Sequence, residues 1–169
     1  MMASETRITV IGIGNAFRRD DGVGVSVARR LRDRVPTHVL ISEESGEGAS
    51  LMEAWKNAER VILIDAVRSG VAAGTIYRFE ANSGALPTEY FCCSTHSFGV
   101  GQTIELARAL NQLPERLIVY GIEGEDFASG GDLSAAVERA AAAVCDQVLD
   151  DIRGYEHSPR NPQVLRSCR

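Results

Sequence analysis

Short apolar runs alternate with longer amphipathic stretches along most of this chain. The runs are rich in β-branched residues, which is typical of strands, and they cover residues 7–13, 38–42, 60–66, 74–80 and 117–122. The longer stretches carry an apolar side chain at every third or fourth position, which predicts helices over residues 24–35, 50–57, 98–111 and 132–154. Pro36 ends the first of these helices and Gly154 ends the last.

The order of these segments predicts a three-layer α/β/α sandwich built on a mostly parallel, twisted sheet. Strands that alternate with helices pair in parallel through right-handed crossovers. Residues 60–66 form the most continuous apolar run and are expected at the centre of the sheet, covered on both faces. Residues 74–80 alternate apolar and polar side chains after a connection too short for a helix. We therefore expect one antiparallel edge strand there.

The chain length predicts one domain followed by a short tail. A total of 169 residues fits a single compact domain, which we place at residues 1–154. Residues 155–169 contain two prolines and no apolar period. They are expected to form a mobile C-terminal tail.

The charge balance and the hydropathy exclude several classes of protein. Lys and Arg total 18 against 23 Asp and Glu, a net charge of −5, which argues against a general nucleic-acid binder. No apolar stretch approaches the roughly 20 residues of a membrane helix. The N-terminus also lacks the features of a secretory signal. We expect a soluble, cytoplasmic protein that neither binds nucleic acid nor inserts into a membrane.

The cysteines predict neither a disulfide framework nor a structural zinc site. Cys92, Cys93, Cys145 and Cys168 are few and unevenly spaced, so we expect them to be reduced. The Cys92-Cys93 pair has no second pair at zinc-ligand spacing. Cys145 lies on the apolar face of a predicted helix and is expected to be buried.

Residues with metal-binding chemistry occur in three separate segments that are expected at the carboxyl edge of the predicted sheet. Asp20 and Asp21 follow the first strand, Asp65 ends the central strand and His96 precedes a helix. Because the carboxyl ends of parallel strands meet at one edge, these residues are expected to converge. Two carboxylates and one imidazole form an incomplete coordination shell that suits nickel or zinc. Each residue also has a purely structural interpretation as a cap of a loop or helix.

The glycines of the first loop also suggest a dinucleotide site. Gly12 and Gly14 match the start of such a motif, but Phe17 occupies the place of its third small residue. Asp20 and Asp21 would also repel a pyrophosphate. A P-loop is excluded because the chain has no Gly-Lys-Ser/Thr sequence.

Three separated motifs occur in order at compatible spacings. They are the loop that reads Gly-Ile-Gly-Asn and then Arg-Asp-Asp-Gly-Val-Gly between residues 12 and 24, the tripeptide Ile64-Asp65-Ala66, and His96. Together they resemble the signature of the [NiFe]-hydrogenase maturation proteases over about residues 7–152. Members of that family are three-layer α/β endopeptidases. They remove a short C-terminal extension from the hydrogenase large subunit after nickel has been inserted.

The resemblance implies a role for each converging residue. Asp21, Asp65 and His96 match the metal-contacting positions of the family and are the candidate catalytic residues, although many members carry Glu at the first position. The implied partner is a [NiFe]-hydrogenase large-subunit precursor. Nickel is expected to arrive with that substrate, so the isolated protein is expected to be mostly metal-free.

The resemblance also implies where the substrate is recognised. Members commonly carry a Gly-Gly-Thr-like stretch after the second strand, and this chain departs from that pattern. The candidate recognition residues are Asn15, Ser45, Gly46, Glu47 and Gly48. The departure leaves the identity of the cognate hydrogenase open.

The residues favour hydrolysis by attack of water, because no serine lies on a nucleophile elbow. The metal then serves for recognition, or as a Lewis acid as well, with Asp21 or Asp65 as a candidate general base. Two other interpretations stay open. One is a non-enzymatic nickel-binding accessory protein, and the other is a nucleotide-binding Rossmann-like protein.

Overall fold

The structure is a computed structural model that describes residues 6–91 and 99–157. Strands and helices alternate along it, apart from the strand pair after β3. The strands are β1 (Ile8–Ile13), β2 (Val39–Glu44), β3 (Arg60–Val67), β4 (Ile76–Glu80) and β5 (Arg116–Glu123). The helices are α1 (Val23–Leu31), α2 (Gly48–Trp55), α3 (Val100–Ala109) and α4 (Ala135–His157). Within the described part of the chain, no helix is long and apolar enough to cross a membrane.

The strands form one mixed sheet in the order β2-β1-β3-β5-β4. Strands β2, β1, β3 and β5 pair in parallel. Strand β4 runs antiparallel to β5 at the edge of the sheet. This topology confirms the predicted mostly parallel sheet with one antiparallel edge strand.

Helices cover both faces of the sheet and complete the predicted three layers. Neighbouring residues of a strand point to opposite faces and so enter different cores. Val10 and Ile62 pack with α1 and α4, whereas Ile11 and Leu63 pack with α2 and α3. The predicted burial of Cys145 is also confirmed, since it lies in the first of these cores with 1% of its surface exposed.

Helix α1 begins directly against the carboxyl ends of β1 and β3 because Gly24 has no side chain. A Cβ atom at Gly24 would overlap the carbonyl oxygens of Ile13 and Ile64. One at Gly12 would in turn overlap the carbonyl oxygen of Gly24. This close approach brings the loop between β1 and α1 over the end of the central strand.

The last helix does not end at Gly154, as the sequence predicted, but continues to His157. The reason is Tyr155, which is only 2% exposed. Its ring lies 4.9 Å from the Arg60 guanidinium and 5.1 Å from that of Arg116, and its carbonyl oxygen accepts a hydrogen bond from Arg60. This packing outweighs the cost of a glycine inside a helix, roughly 1 kcal/mol. Residues 155–157 therefore belong to the helix, and the rest of the predicted tail lies outside the described residues.

The position of Tyr155 predicts how far the chain can be shortened. A chain that stops after His157 should keep the stability of the full chain. A chain that stops after Gly154 loses the buried ring and should be destabilised by about 3 kcal/mol or more, as for other large buried aromatic residues. Urea unfolding of the two truncated chains measures the difference. Equal stability would show that the Tyr155 ring contributes nothing to the fold.

Candidate functional site

The loop after β1 places Asp21 at the carboxyl edge of the sheet. Gly14 makes this possible, because its φ of 136° suits glycine and a Cβ atom there would overlap the carbonyl oxygen of Asp21. The Oδ2 atom of Asp21 accepts a hydrogen bond from the Asn15 N–H at 3.2 Å. The Arg18 guanidinium lies 3.6 Å from the same oxygen. Asp21 is held in place by these contacts and is 6% exposed.

Asp65 reaches the same edge from the central strand. It lies near the carboxyl end of β3, opposite Gly121 of β5, and is 7% exposed. Its Oδ1 atom accepts a hydrogen bond from the N–H of Ala66 at 2.9 Å. The structure thus brings two of the predicted site residues, Asp21 and Asp65, to one place.

Burial disfavours the charged form of both carboxyl groups, and the charge of Asp21 adds to this effect at Asp65. Burial raises the pKa of Asp65 well above its usual range, and the negative charge of Asp21 raises it further. Burial also raises the pKa of Asp21, although the Arg18 charge and the Asn15 N–H oppose the shift. A pair of buried acids in this state gains from a proton or a cation placed between them.

The two carboxyl groups lie in a cleft of about 340 Å³. Its walls come from the loop after β1 and from the carboxyl end of β2, including Glu43 and Glu44. The Arg29 guanidinium also lines the cleft, where it binds the Glu43 carboxylate with its shortest contact at 3.0 Å. The cleft is partly open to solvent.

The candidate recognition residues divide into two groups. Asn15 and Ser45 line the cleft. Gly46 does not, and instead adopts a φ of 92° that turns the chain from β2 into α2. Glu47 caps α2, since its carboxylate accepts hydrogen bonds from the N–H groups of Ala49 at 3.2 Å and Ser50 at 2.8 Å.

The first residue of α2 is Gly48, which also lies outside the walls of the cleft. Sequence reasoning missed the cap formed by Glu47, because glutamate is not among the residues that usually fill an N-cap position.

The capping contacts of Glu47 predict a difference between two substitutions. Glu47→Ala removes the acceptor and should destabilise the protein by about 1 kcal/mol. Glu47→Thr supplies a hydroxyl that can cap the same N–H groups and should stay within about 0.5 kcal/mol of the parental chain. Chemical denaturation of both variants measures the effect. An alanine variant as stable as the parental chain would show that the cap is dispensable.

His96 lies outside the described residues, together with Cys92 and Cys93. The predicted convergence of His96 with the two aspartates therefore stays a prediction. Within residues 6–91 and 99–157, no group of three or more His, Cys, Asp or Glu side chains is placed to hold a metal ion. The described part of the site is the carboxylate pair.

Asp20, next to Asp21, points away from the cleft and joins the site loop to the segment after β5. Its carboxylate accepts hydrogen bonds from the N–H groups of Glu125 at 3.0 Å, Asp126 at 3.0 Å and Ser134 at 2.8 Å, and from the Ser134 hydroxyl at 3.0 Å. Burial alone would raise the pKa of Asp20, but these hydrogen bonds outweigh it and lower the pKa. Asp20 thus has a structural role, whereas Asp21 lines the cleft.

Sequence reasoning also missed Glu123, the last residue of β5. It is 1% exposed, and its carboxylate accepts hydrogen bonds from the N–H groups of Ser69 and Gly70 and from the Ser69 hydroxyl. These bonds fix the loop that follows β3 at Ser69 and Gly70, three and four residues beyond Ala66. The available signal was an acid directly after a buried run, the same signal that identified Asp65.

Fold and site together define a three-layer α/β protein with a pair of buried carboxyl groups in a cleft at the strand ends. A model of the family described as hydrogenase maturation protease matches residues 25–151, well over half of the chain. The Hydrogenase 2 maturation protease of Escherichia coli is 29% identical over 160 residues, which cover 91% of this chain and 96% of that protein. The hydrogenase expression/formation protein HupM of Azotobacter chroococcum is 30% identical over 168 residues, which cover 95% and 79%.

The fold is shared with solved structures as well. The solution structure of an endopeptidase from Escherichia coli superposes with a TM-score of 0.77 at 25% identity, over 89% of this chain and 94% of that one. The chain belongs to the hydrogenase maturation protease family. It is an endopeptidase that acts in hydrogenase processing, which confirms the enzyme interpretation over the accessory-protein and nucleotide-binding alternatives.

Proposed function

We propose that this endopeptidase removes the C-terminal extension of a [NiFe]-hydrogenase large-subunit precursor after nickel has been inserted. In this proposal, the enzyme recognises its substrate through the nickel ion. The observation that carries the proposal is the pair of buried carboxyl groups, Asp21 and Asp65, in an open cleft. Their raised pKa values reflect the cost of burying the charged forms, a cost that a bound cation would offset.

The donor set supports nickel as part of the substrate and not as a resident cofactor. Two carboxylates alone form a weak site, and we propose His96 as a third donor on the basis of the family resemblance. Oxygen and imidazole donors suit a divalent ion such as nickel when further ligands complete its coordination. Cysteines of the precursor would supply those ligands. The isolated enzyme is then expected to carry little metal.

The residues at the cleft also suit hydrolysis by water. Cleavage adds water across the scissile C–N bond, so the site has to accept a proton from the water and return one to the leaving amine. A buried carboxyl group with a raised pKa is fit for that transfer, and Asp21 and Asp65 are both candidates. A metal ion bound by these carboxylates would add electrostatic stabilisation of the developing oxyanion.

We also propose that the loop at Ser45, Gly46, Glu47 and Gly48 contributes to the choice of substrate. Ser45 lies in the wall of the cleft, and Glu47 fixes the loop through the cap of α2. Together with Asn15, Ser45 would contact the segment that passes through the cleft.

The proposal is tested by incubating the enzyme with a nickel-loaded and a nickel-free large-subunit precursor and following the precursor mass. We expect loss of the mass of the C-terminal extension only from the nickel-loaded form. Equal processing of both forms would contradict recognition through nickel. An unchanged mass in both would contradict the proposed activity on this precursor.

A further inference from the structure

Phe17 exposes an aromatic ring at the mouth of the cleft. Its exposure of 82% is the highest among the large hydrophobic side chains in the described ranges. Single exposed hydrophobic residues are common on protein surfaces, so exposure alone carries little information. The position of Phe17 is more informative, because this residue is part of the wall of the cleft that contains Asp21 and Asp65.

Hydrogen bonds hold the backbone around Phe17, whereas its ring is exposed. The Phe17 N–H donates to the Oδ1 atom of Asn15 at 2.9 Å, and the Phe17 carbonyl accepts from the Gly130 N–H at 2.6 Å. The next residue, Arg18, donates its N–H to the Asn15 carbonyl at 3.0 Å. The ring is therefore displayed on a fixed turn, and little backbone entropy remains to be lost when it is covered.

The turn that contains Phe17 also leads to Asp21, one of the two acids of the cleft. Asp21 lies four residues after Phe17, and its N–H donates to the Arg18 carbonyl at 3.0 Å. Apolar side chains of Ile13 and Val25 line the cleft near the acids. A chain bound at the carboxyl pair would thus pass the apolar side chains of Ile13, Val25 and Phe17, of which Phe17 is the most exposed.

We propose that Phe17 is a substrate-binding residue that covers an apolar side chain of the large-subunit precursor close to the scissile peptide. This inference rests on the proposed function and adds the chemistry of one contact to it. The ring makes no hydrogen bond and buries little surface within the chain, so its burial is available for binding. The contact positions the extension along the cleft while the carboxyl pair meets the metal.

The test compares Phe17→Ala, Phe17→Leu and a matched control, Leu110→Ala. Leu110 is also exposed, at 53%, but it follows the last residue of α3 and is not part of the wall of the cleft. Steady-state processing of the nickel-loaded precursor gives KM and kcat separately, and thermal denaturation reports the stability of each variant.

We expect Phe17→Ala to raise KM about tenfold or more with little change in kcat, since burial of an aromatic side chain is lost. Phe17→Leu should recover most of that loss because it keeps an apolar side chain. Leu110→Ala should have the same KM as the parental chain. All three variants should have the same Tm as the parental chain.

Three results would overturn this inference. An unchanged KM for Phe17→Ala, with normal processing by the parental chain, contradicts the contact and leaves the proposed function intact. A parental chain that fails to process the precursor contradicts the proposed function and this inference together. If the parental chain sediments as a dimer and the Phe17→Ala chain as a monomer, the Phe17 ring packs against a second copy of the chain and not against the substrate.

Discussion

An Asp65→Asn chain is expected to process the nickel-loaded precursor at least about 100-fold more slowly than the parental chain. Asn keeps the shape of the side chain but removes the negative charge that would meet the metal and the oxygen that would accept a proton. Asp21→Asn should lose activity for the same reason. Timed mass spectrometry of the precursor measures the rates.

The fold should survive the Asp65→Asn change and become more stable at neutral pH. The pKa of Asp65 is raised in the folded chain, so ionisation of this group opposes folding as the pH rises above its unfolded value of about 3.9. Removing the charge removes that penalty, and the advantage of the variant should vanish at acidic pH. Urea unfolding as a function of pH checks the direction.

Asp146→Asn is the matched control for both aspartates. Asp146 is an exposed acid on α4. Its carboxylate forms an ion pair with Arg34 at 2.9 Å. The Asp146→Asn substitution removes one negative charge outside the cleft and should leave the processing rate unchanged. If Asp65→Asn processed the precursor as fast as Asp146→Asn, Asp65 would have no place in the site.

An Asp20→Ala chain is expected to lose more than about 3 kcal/mol of stability. The substitution removes an acceptor of hydrogen bonds from Glu125, Asp126 and Ser134, and it leaves three partly buried N–H groups without that acceptor. Hydrogen bonds to a charged group contribute about 1.5–3 kcal/mol each, and their contributions at one carboxylate are not additive. Chemical denaturation at neutral pH measures the loss.

The pH dependence of that loss follows from the lowered pKa of Asp20. A carboxyl group with a lowered pKa stabilises the fold above its unfolded pKa, about 3.9, and this contribution is lost as the pH falls through the folded value. The stability difference between the parental chain and Asp20→Ala should therefore narrow below about pH 4. Asp20→Asn keeps one acceptor oxygen, so its stability should lie between those of the parental chain and Asp20→Ala. A difference that is small and constant with pH would contradict the structural role of Asp20.

The layer order was predictable because the hydrophobic period differs between strands and helices. The buried run of β3 and the two-residue alternation of β4 identified the centre and the antiparallel edge of the sheet. The end of α4 was not predictable. Glycine is common directly after the end of a helix, whereas here Tyr155 packs against Arg60 and Arg116 and α4 continues past Gly154.

In the site, too, some residues could be identified from the local sequence and others only from the tertiary structure. An acid after a buried strand identified Asp65, because burial of a carboxyl group has to be explained by a contact. Asp20 and Asp21 could not be told apart by sequence, since a short 3₁₀ turn at Arg19–Gly22 directs one to the loop after β5 and the other to the cleft. The exposure of Phe17 depends on tertiary structure in the same way.

The most direct test of the central claim is the nickel environment of the precursor before cleavage. Nickel X-ray absorption spectra would be recorded for the loaded precursor alone, with the parental enzyme and with the Asp65→Asn chain, in samples frozen before turnover and shown to contain the complex. We expect additional oxygen or nitrogen ligands at nickel with the parental enzyme and fewer of them with Asp65→Asn. Spectra that stay the same in all three samples would contradict the claim that the carboxyl pair of this enzyme binds the nickel of its substrate.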